Sequence, residues 1–309
     1  MTKRLQRKIT IALLILFSAF TFAACGETGP NVKVEEGMKY IEKMAYTEAM
    51  ACFEEARAGN ESERLIARGM GIAYMGMAEY EQAIEQLMKC IELSDGTIEN
   101  MDYDVNYYLA AAYLKTGAYE EAEAIYNAIL DLKPREKDAI YLRGVSRLKR
   151  DMYQEAQADF DKAIEMDPSN YTRLLKIYEV LCESGYTQMG RDYLETALAK
   201  RSGKMTAYEK GLIHYYLGNY EQAQVFLEEA KKDGDADVYY YLGMSYEKTG
   251  DYDYAITSVY SQYLSKHDGD ARIYNQLGLC YMQQENYTEA LYNFQNAMHI
   301  ADVSLLQAL

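Results

Sequence analysis

Residue types that carry acid–base, nucleophilic or metal chemistry are few in this sequence, and they are scattered. The three histidines, His214, His267 and His299, have no cysteine, serine or carboxylate at a spacing that would set up proton transfer or nucleophilic attack. No nucleophile elbow, phosphate loop or zinc-ligand spacing occurs, which argues against an enzyme. The most suggestive cluster is Asp233-Gly234-Asp235-Ala236-Asp237, with the alternating carboxylates of a calcium loop. Val238, however, stands where such a loop needs its turn glycine, and Met244 where it needs a bidentate glutamate, so a polar turn is the plainer reading and no metal is expected. Cys52, Cys90, Cys182 and Cys280 lie far apart on helical positions, two of them where small or apolar residues belong. Buried free thiols are expected rather than a disulfide framework.

The elements that hold these residues recur. A tyrosine marks the start of a helix at Tyr46, Tyr80, Tyr119, Tyr153, Tyr220, Tyr252 and Tyr287, with Thr187 in the same role once, at steps of 34, 39, 34, 34, 33, 32 and 35 residues. Three residues after each marker stands alanine, or Gly190 after Thr187; nine before it stands Gly37, Gly71, Ala110, Gly144, Gly211, Gly243 or Gly278, with Tyr178 the exception. In 103–136 the small and aromatic residues fall at third-, fourth- and seventh-residue steps of two amphipathic helices joined at Gly117. The small residues mark where the two helices approach closely, and such a hairpin needs neighbours of the same shape to bury its apolar face. His214 takes the place that Tyr113 and Tyr246 hold in other copies, a core position.

This pattern resembles the tetratricopeptide repeat family, over residues 30–304 in eight tandem repeats. The resemblance implies an all-α fold, a right-handed solenoid superhelix of helical hairpins. Repeat 5 departs most, with Tyr178, Thr187 and Gly190, and looser packing of its helices is expected; five extra residues near 96–101 lengthen a loop or helix between repeats 2 and 3. In this family the first helices line a groove, and the fifth position of each repeat points into it. Those positions are Val34, Arg68, Tyr107, Tyr141, Leu175, Tyr208, Tyr240 and Asn275. A stripe of Tyr107, Tyr141, Tyr208 and Tyr240 would suit an extended peptide or a glycan, since the rings supply area and the hydroxyls supply hydrogen bonds. Equally, with 32 tyrosines in the chain, these rings could be packing residues. The basic, asparagine-bearing groove with which related adaptors clamp a terminal carboxylate is not reproduced, so chaperone-tail binding is not expected.

Residues 1–24 stand apart. Lys3, Arg4, Arg7 and Lys8 precede an uncharged apolar run over 9–24, and Phe22-Ala23-Ala24-Cys25-Gly26 is similar to a bacterial lipoprotein signal. It implies cleavage before Cys25, a covalent lipid on that cysteine as the one attached group, and a tether at 25–29; an uncleaved signal anchor is the alternative. Either way the body is expected outside the cytoplasmic membrane; with the signal cleaved it is expected to be lipid-anchored to the outer face. Cleavage removes four positive charges and no negative one, taking the formal net charge from −16 to −20. Such a body excludes nucleic-acid binding through phosphates and is repelled by anionic headgroups.

Only a short extension, 305–309, follows the eighth repeat, too short for an independent cap on the stack. A contact through Leu305, Leu306 and Leu309, with a partner or in a homodimer, is expected there. The expected function is a non-enzymatic extracytoplasmic scaffold or adaptor in envelope assembly, binding envelope or secreted proteins with basic or extended segments. The alternative is a surface solute- or glycan-binding protein that uses the same tyrosines.

Overall fold

The computed structural model describes residues 31–267 and 269–308, and the side chains of 31–300 apart from 233 and 268. All described regular structure is helical, in sixteen helices that pair into hairpins. The first compact unit, up to Asp167, holds α1 (Val32–Glu42), α2 (Tyr46–Ala58), α3 (Glu63–Gly76), α4 (Tyr80–Glu92), α5 (Asn100–Thr116), α6 (Tyr119–Leu132), α7 (Lys137–Leu148) and α8 (Tyr153–Met166). The second, from Pro168, holds α9 (Tyr171–Glu183), α10 (Thr187–Arg201), α11 (Ala207–Tyr216), α12 (Tyr220–Ala230), α13 (Ala236–Thr249), α14 (252–264), α15 (Ala271–Gln283) and α16 (Tyr287–Ala308). Each unit is four hairpins in sequence order, as expected of an all-α solenoid.

Every hairpin closes the same way. The residue two before the marker has positive φ: Met44, Ala78, Gly117, Asp151, Gly185, Gly218, Gly250 and Glu285. The following N–H then reaches back to a carbonyl one turn inside the first helix, as Ala118 does to Tyr113 at 2.8 Å and Asn219 to His214 at 2.9 Å. This left-handed closure satisfies a helix-end carbonyl and turns the chain into the second helix.

Within a hairpin, the small residue of the first helix meets a large side chain seven residues after the marker. A Cβ added at Gly144 would fall 2.8 Å from Phe160, at Gly211 2.6 Å from Leu227 and at Gly278 2.5 Å from Phe294. Those distances lie inside van der Waals contact, so the helices touch there with no room for a methyl group. Repeat 5 exchanges the sizes of the pair. Tyr178 occupies the small position, and Gly190 on the facing helix leaves the space, with 3.1 Å between the Tyr178 ring and where a Gly190 Cβ would sit. In repeat 7 the large residue, Tyr260, comes eight residues after the marker instead of seven, and 255–260 adopt a π-helix that absorbs the extra residue. Tyr260 is consequently delivered to Gly243, where an added Cβ would fall 2.1 Å from the ring. The extra residues between repeats 2 and 3 form both a loop and additional helix, since α5 is 17 residues long and starts with a reciprocal capping box between Glu99 and Asp102.

A buried ionic seam joins repeats 3 and 4. Arg143 grips Asp159 with two hydrogen bonds, at 2.9 and 2.6 Å, and donates to Asn127 at 2.9 Å. Arg147 donates to Glu123 at 2.9 Å and to Asp159 at 2.8 Å, and Arg150 also reaches Glu123. Spaced four and three residues apart, the three arginines lie along one face of α7 and its C-terminal extension, between α6 and α8.

Candidate functional site

The four tyrosines at the fifth positions are all half-buried, and they divide between the units, Tyr107 and Tyr141 in the first, Tyr208 and Tyr240 in the second. The Tyr107 ring lies 6.2 Å from that of Tyr126, and its hydroxyl oxygen is sealed from solvent. Tyr141 lies 6.2 Å from Phe160, and Tyr208 packs onto the core of the second unit. Tyr240 receives Arg272 over its ring face at 5.4 Å, and its hydroxyl lies 3.5 Å from the Gln276 amide.

Around Tyr240 the second unit holds a larger aromatic array, for which the fifth positions alone gave no signal. Tyr215 and Tyr216 at the end of α11 face Tyr240 and Tyr241 on α13. The Tyr215 and Tyr241 rings are edge-to-face at 5.3 Å, and so are Tyr240 and Tyr241 at 5.3 Å. Tyr216 and Tyr241 share a hydroxyl contact at 3.3 Å, and the Tyr216 hydroxyl also donates to Glu179 at 3.1 Å. Tyr178 on α9 extends the array, edge-to-face with Tyr216 at 5.5 Å, and donates its hydroxyl to the Tyr216 carbonyl at 2.9 Å. The array has a helical logic, because adjacent tyrosines at the end of one first helix and near the start of the next meet when the helices lie side by side. The adjacent pairs Tyr215-Tyr216 and Tyr240-Tyr241 were its sequence signal.

Burial pushes the Tyr178 and Tyr215 hydroxyls up to about 12 and the Tyr216 hydroxyl higher still. All three therefore stay protonated at physiological pH and act as neutral donors on an aromatic surface. The arrangement suits recognition of a ligand with both apolar and hydrogen-bonding parts.

The corresponding seam of the first unit is ionic. Arg68 at a fifth position donates through Nε to Asp104 at 2.8 Å, and Arg64 pairs with Asp102 and, at 3.4 Å, with Glu99. Of the remaining fifth-position residues, Val34 is buried, Leu175 half-buried and Asn275 exposed.

The other chemistry-bearing residues have structural employment. Asp235 caps α13 by accepting from the Asp237 N–H at 2.9 Å, and Asp237 pairs with Arg272 at 2.7 Å. His214 stacks on Phe226 at 5.4 Å, and burial lowers its basicity. Cys52, Cys90 and Cys280 are buried free thiols and Cys182 is half-buried. Among the described residues, no group of three or more His, Cys, Asp and Glu could hold a metal ion, and no helix is long and apolar enough to cross a membrane. Cys25 and Leu309 lie outside the described residues, and Leu305 and Leu306 fall on α16 where side chains are not described.

Residues 68–137 and 208–272 match one family model, and 138–170 and 271–299 a second. Both are described as tetratricopeptide repeat, and together they take in more than half of the chain. Tetratricopeptide repeat protein 21B of Xenopus laevis is 25% identical over 235 residues, covering 71% of this chain and 18% of that protein; the chain thus spans less than a fifth of the length of this curated relative. Among solved structures, yeast Tom70 superposes with a TM-score of 0.57 at 17% identity, covering 98% of this chain and 71% of that one. A tetratricopeptide repeat protein from Parabacteroides merdae gives a TM-score of 0.48 at 16% identity, covering 90% and 97%. Likeness at these identities concerns the fold.

Proposed function

This chain belongs to the tetratricopeptide repeat family, and from that premise we propose that it is a scaffold, anchored at the outer face of a membrane, that docks extended segments of envelope or secreted proteins. Proteins with these repeats generally mediate protein–protein interactions, and the family is typically non-enzymatic. The observation that carries the docking role is the array of Tyr178, Tyr215, Tyr216, Tyr240 and Tyr241 across α9, α11 and α13. Tyrosine rings give contact area at low entropy cost, and their hydroxyls can pair with the peptide groups of a bound extended segment. Glu179 beside Tyr216, on a chain of net charge −16, favours a basic segment. The anchor rests on the resemblance of residues 1–25 to a lipoprotein signal.

The test is recovery of bound material from crosslinked membranes with the full chain as bait. The natural chain is compared with a Tyr216→Ala/Tyr241→Ala variant and a Tyr216→Phe/Tyr241→Phe variant that keeps the rings. Specific proteins lost with the alanine pair and partly retained with the phenylalanine pair support docking on the array. Equal recovery by all three baits rejects it. The hydroxyl pair beside Glu179 would also suit a sugar, so recovery of glycan without protein would replace the scaffold reading with a glycan-binding one.

A further inference from the structure

The polar edge of the tyrosine array has a direction. The Tyr216 hydroxyl has one hydrogen, and it goes to the Glu179 carboxylate at 3.1 Å. In the 3.3 Å contact between the Tyr216 and Tyr241 hydroxyls the donor is therefore Tyr241. A charged acceptor at the end of the relay fixes this order, because hydrogen bonds to a carboxylate are the stronger ones. Tyr178 spends its own hydrogen on the Tyr216 carbonyl at 2.9 Å. All three hydrogens are thus used within the array. What remains for a ligand is acceptor capacity: the second Glu179 oxygen and the lone pairs of the hydroxyls.

A group that uses this edge must bring several donors, and Glu179 selects a cation. Glu179 is exposed, and among the described residues no basic side chain pairs with it, Lys176 one turn earlier included. Between the two cationic side chains the rings decide. A guanidinium is planar, lies flat on a tyrosine face and carries its N–H fork to acceptors in its own plane, whereas an ammonium is a strongly hydrated point charge. The chain already makes this arrangement once for itself. Arg272 lies over the Tyr240 ring at 5.4 Å and pairs with Asp237 at 2.7 Å and Asp270 at 2.9 Å. Tyr241, the next residue, has a ring and a linked carboxylate but no arginine upon them.

We propose that the edge formed by Glu179, Tyr216 and Tyr241 receives one arginine side chain of a docked segment, its N–H groups on the Glu179 carboxylate and the Tyr241 hydroxyl oxygen and its plane against the tyrosine rings. This rests on the array being the docking surface and adds the residue that the segment must carry.

The experiment measures binding of extended serine–glycine peptides with one central arginine, lysine or citrulline to the full chain in detergent. Citrulline keeps the shape of arginine and loses its charge. The arginine peptide should bind about tenfold or more tighter than either of the others. Glu179→Gln should lower it to the citrulline level and leave citrulline binding unchanged, and Tyr241→Phe should weaken it about threefold. Because Glu179 is exposed, its variant keeps its far-UV circular dichroism. Glu229→Gln, exposed on α12 and equal in its change of charge, should alter none of the three. No binding of the arginine peptide at millimolar concentration, equal binding of arginine and lysine, or equal losses from Glu179→Gln and Glu229→Gln would each overturn the proposal. Docking is read separately, from the membrane recoveries. Proteins recovered equally by the natural chain and Glu179→Gln, but lost with Tyr216→Ala/Tyr241→Ala, would refute the arginine receptor and leave docking standing. Arginine-selective, Glu179-dependent peptide binding with equal recovery by all baits would uphold the receptor and reject docking of membrane proteins as its use.

Discussion

Tyr260 reaches Gly243 from one residue further along its helix than Phe160 reaches Gly144, and the π-helix at 255–260 is what makes the two contacts equivalent. The added residue is accommodated as a wide turn because the ring must land on the glycine and the helix ends cannot shift. Deleting Thr257, which is exposed, places Tyr260 seven residues after Tyr252, as in the other repeats. The deletion variant should fold with its melting temperature within a few degrees of the natural protein. Gly243→Ala should lower stability by about 1–3 kcal/mol, because the ring has nowhere to retreat. Denaturant midpoints distinguish the two, and a deletion variant that melts as early as Gly243→Ala would refute this account of the π-helix.

Below Tyr260 lies a titration. Burial pushes the Glu247 carboxyl above its ordinary value of 4.5, and the hydrogen bond donated by the Tyr260 hydroxyl reverses this only in part. A carboxyl whose value is raised by folding stabilises the fold fully below its unfolded value, and this contribution is lost as pH rises through the folded value. Glu247→Gln keeps an acceptor for Tyr260 and removes the charge. The variant should be more stable than the natural protein at pH 7 and 8, and the gap should close as pH falls toward 4.5. Thermal melts across that range, showing a constant gap, would contradict the assignment.

Asp159 is the centre of the seam between repeats 3 and 4, with a side chain 4% exposed and two arginines upon it. Asp159→Ala leaves the half-buried guanidinium groups of Arg143 and Arg147 with only Asn127 and Glu123 as partners and should cost about 1–3 kcal/mol. Glu36→Ala, which breaks an exposed pair with Lys33, should cost less than about 1 kcal/mol. Urea titrations of the two variants read the contrast.

Four hairpin turns have glycine at positive φ and four do not. Ala78, at φ 60°, holds a conformation that strains an L-residue by about 1–2 kcal/mol. Ala78→Gly relieves that strain against a smaller loss of unfolded-state restriction, and should raise stability by about 0.5–1 kcal/mol. A lower denaturant midpoint in the variant would show that the turn is held by other contacts.

The repeat, its hairpins and their close contacts were legible in the sequence because small residues nine before and three after each marker have one steric explanation, the close approach of two helices. The marker spacing placed every second helix. What the spacing missed came from relations between repeats. Gly190 gave no sign by itself that it compensates for Tyr178, since the relation exists only when the two helices face each other. The π-helix at 255–260 gave no sign either, because a step of 35 residues between markers does not imply one. For the candidate site, the fifth positions gave Tyr240 but not the array around it. Tyr216 and Tyr241 emerged only with the lateral packing of α11 on α13, which no single repeat encodes.

The exchange of sizes between Tyr178 and Gly190 also says what the unit of inheritance must be. A first helix from repeat 5 placed before a second helix of another repeat would drive Tyr178 into an alanine such as Ala223, while the reverse graft would leave a hole beside Gly190. Whole hairpins can be duplicated, moved or lost without such a mismatch, and single helices cannot. A chain that grows by copying must therefore break in the connections between hairpins and never at the left-handed turn within one.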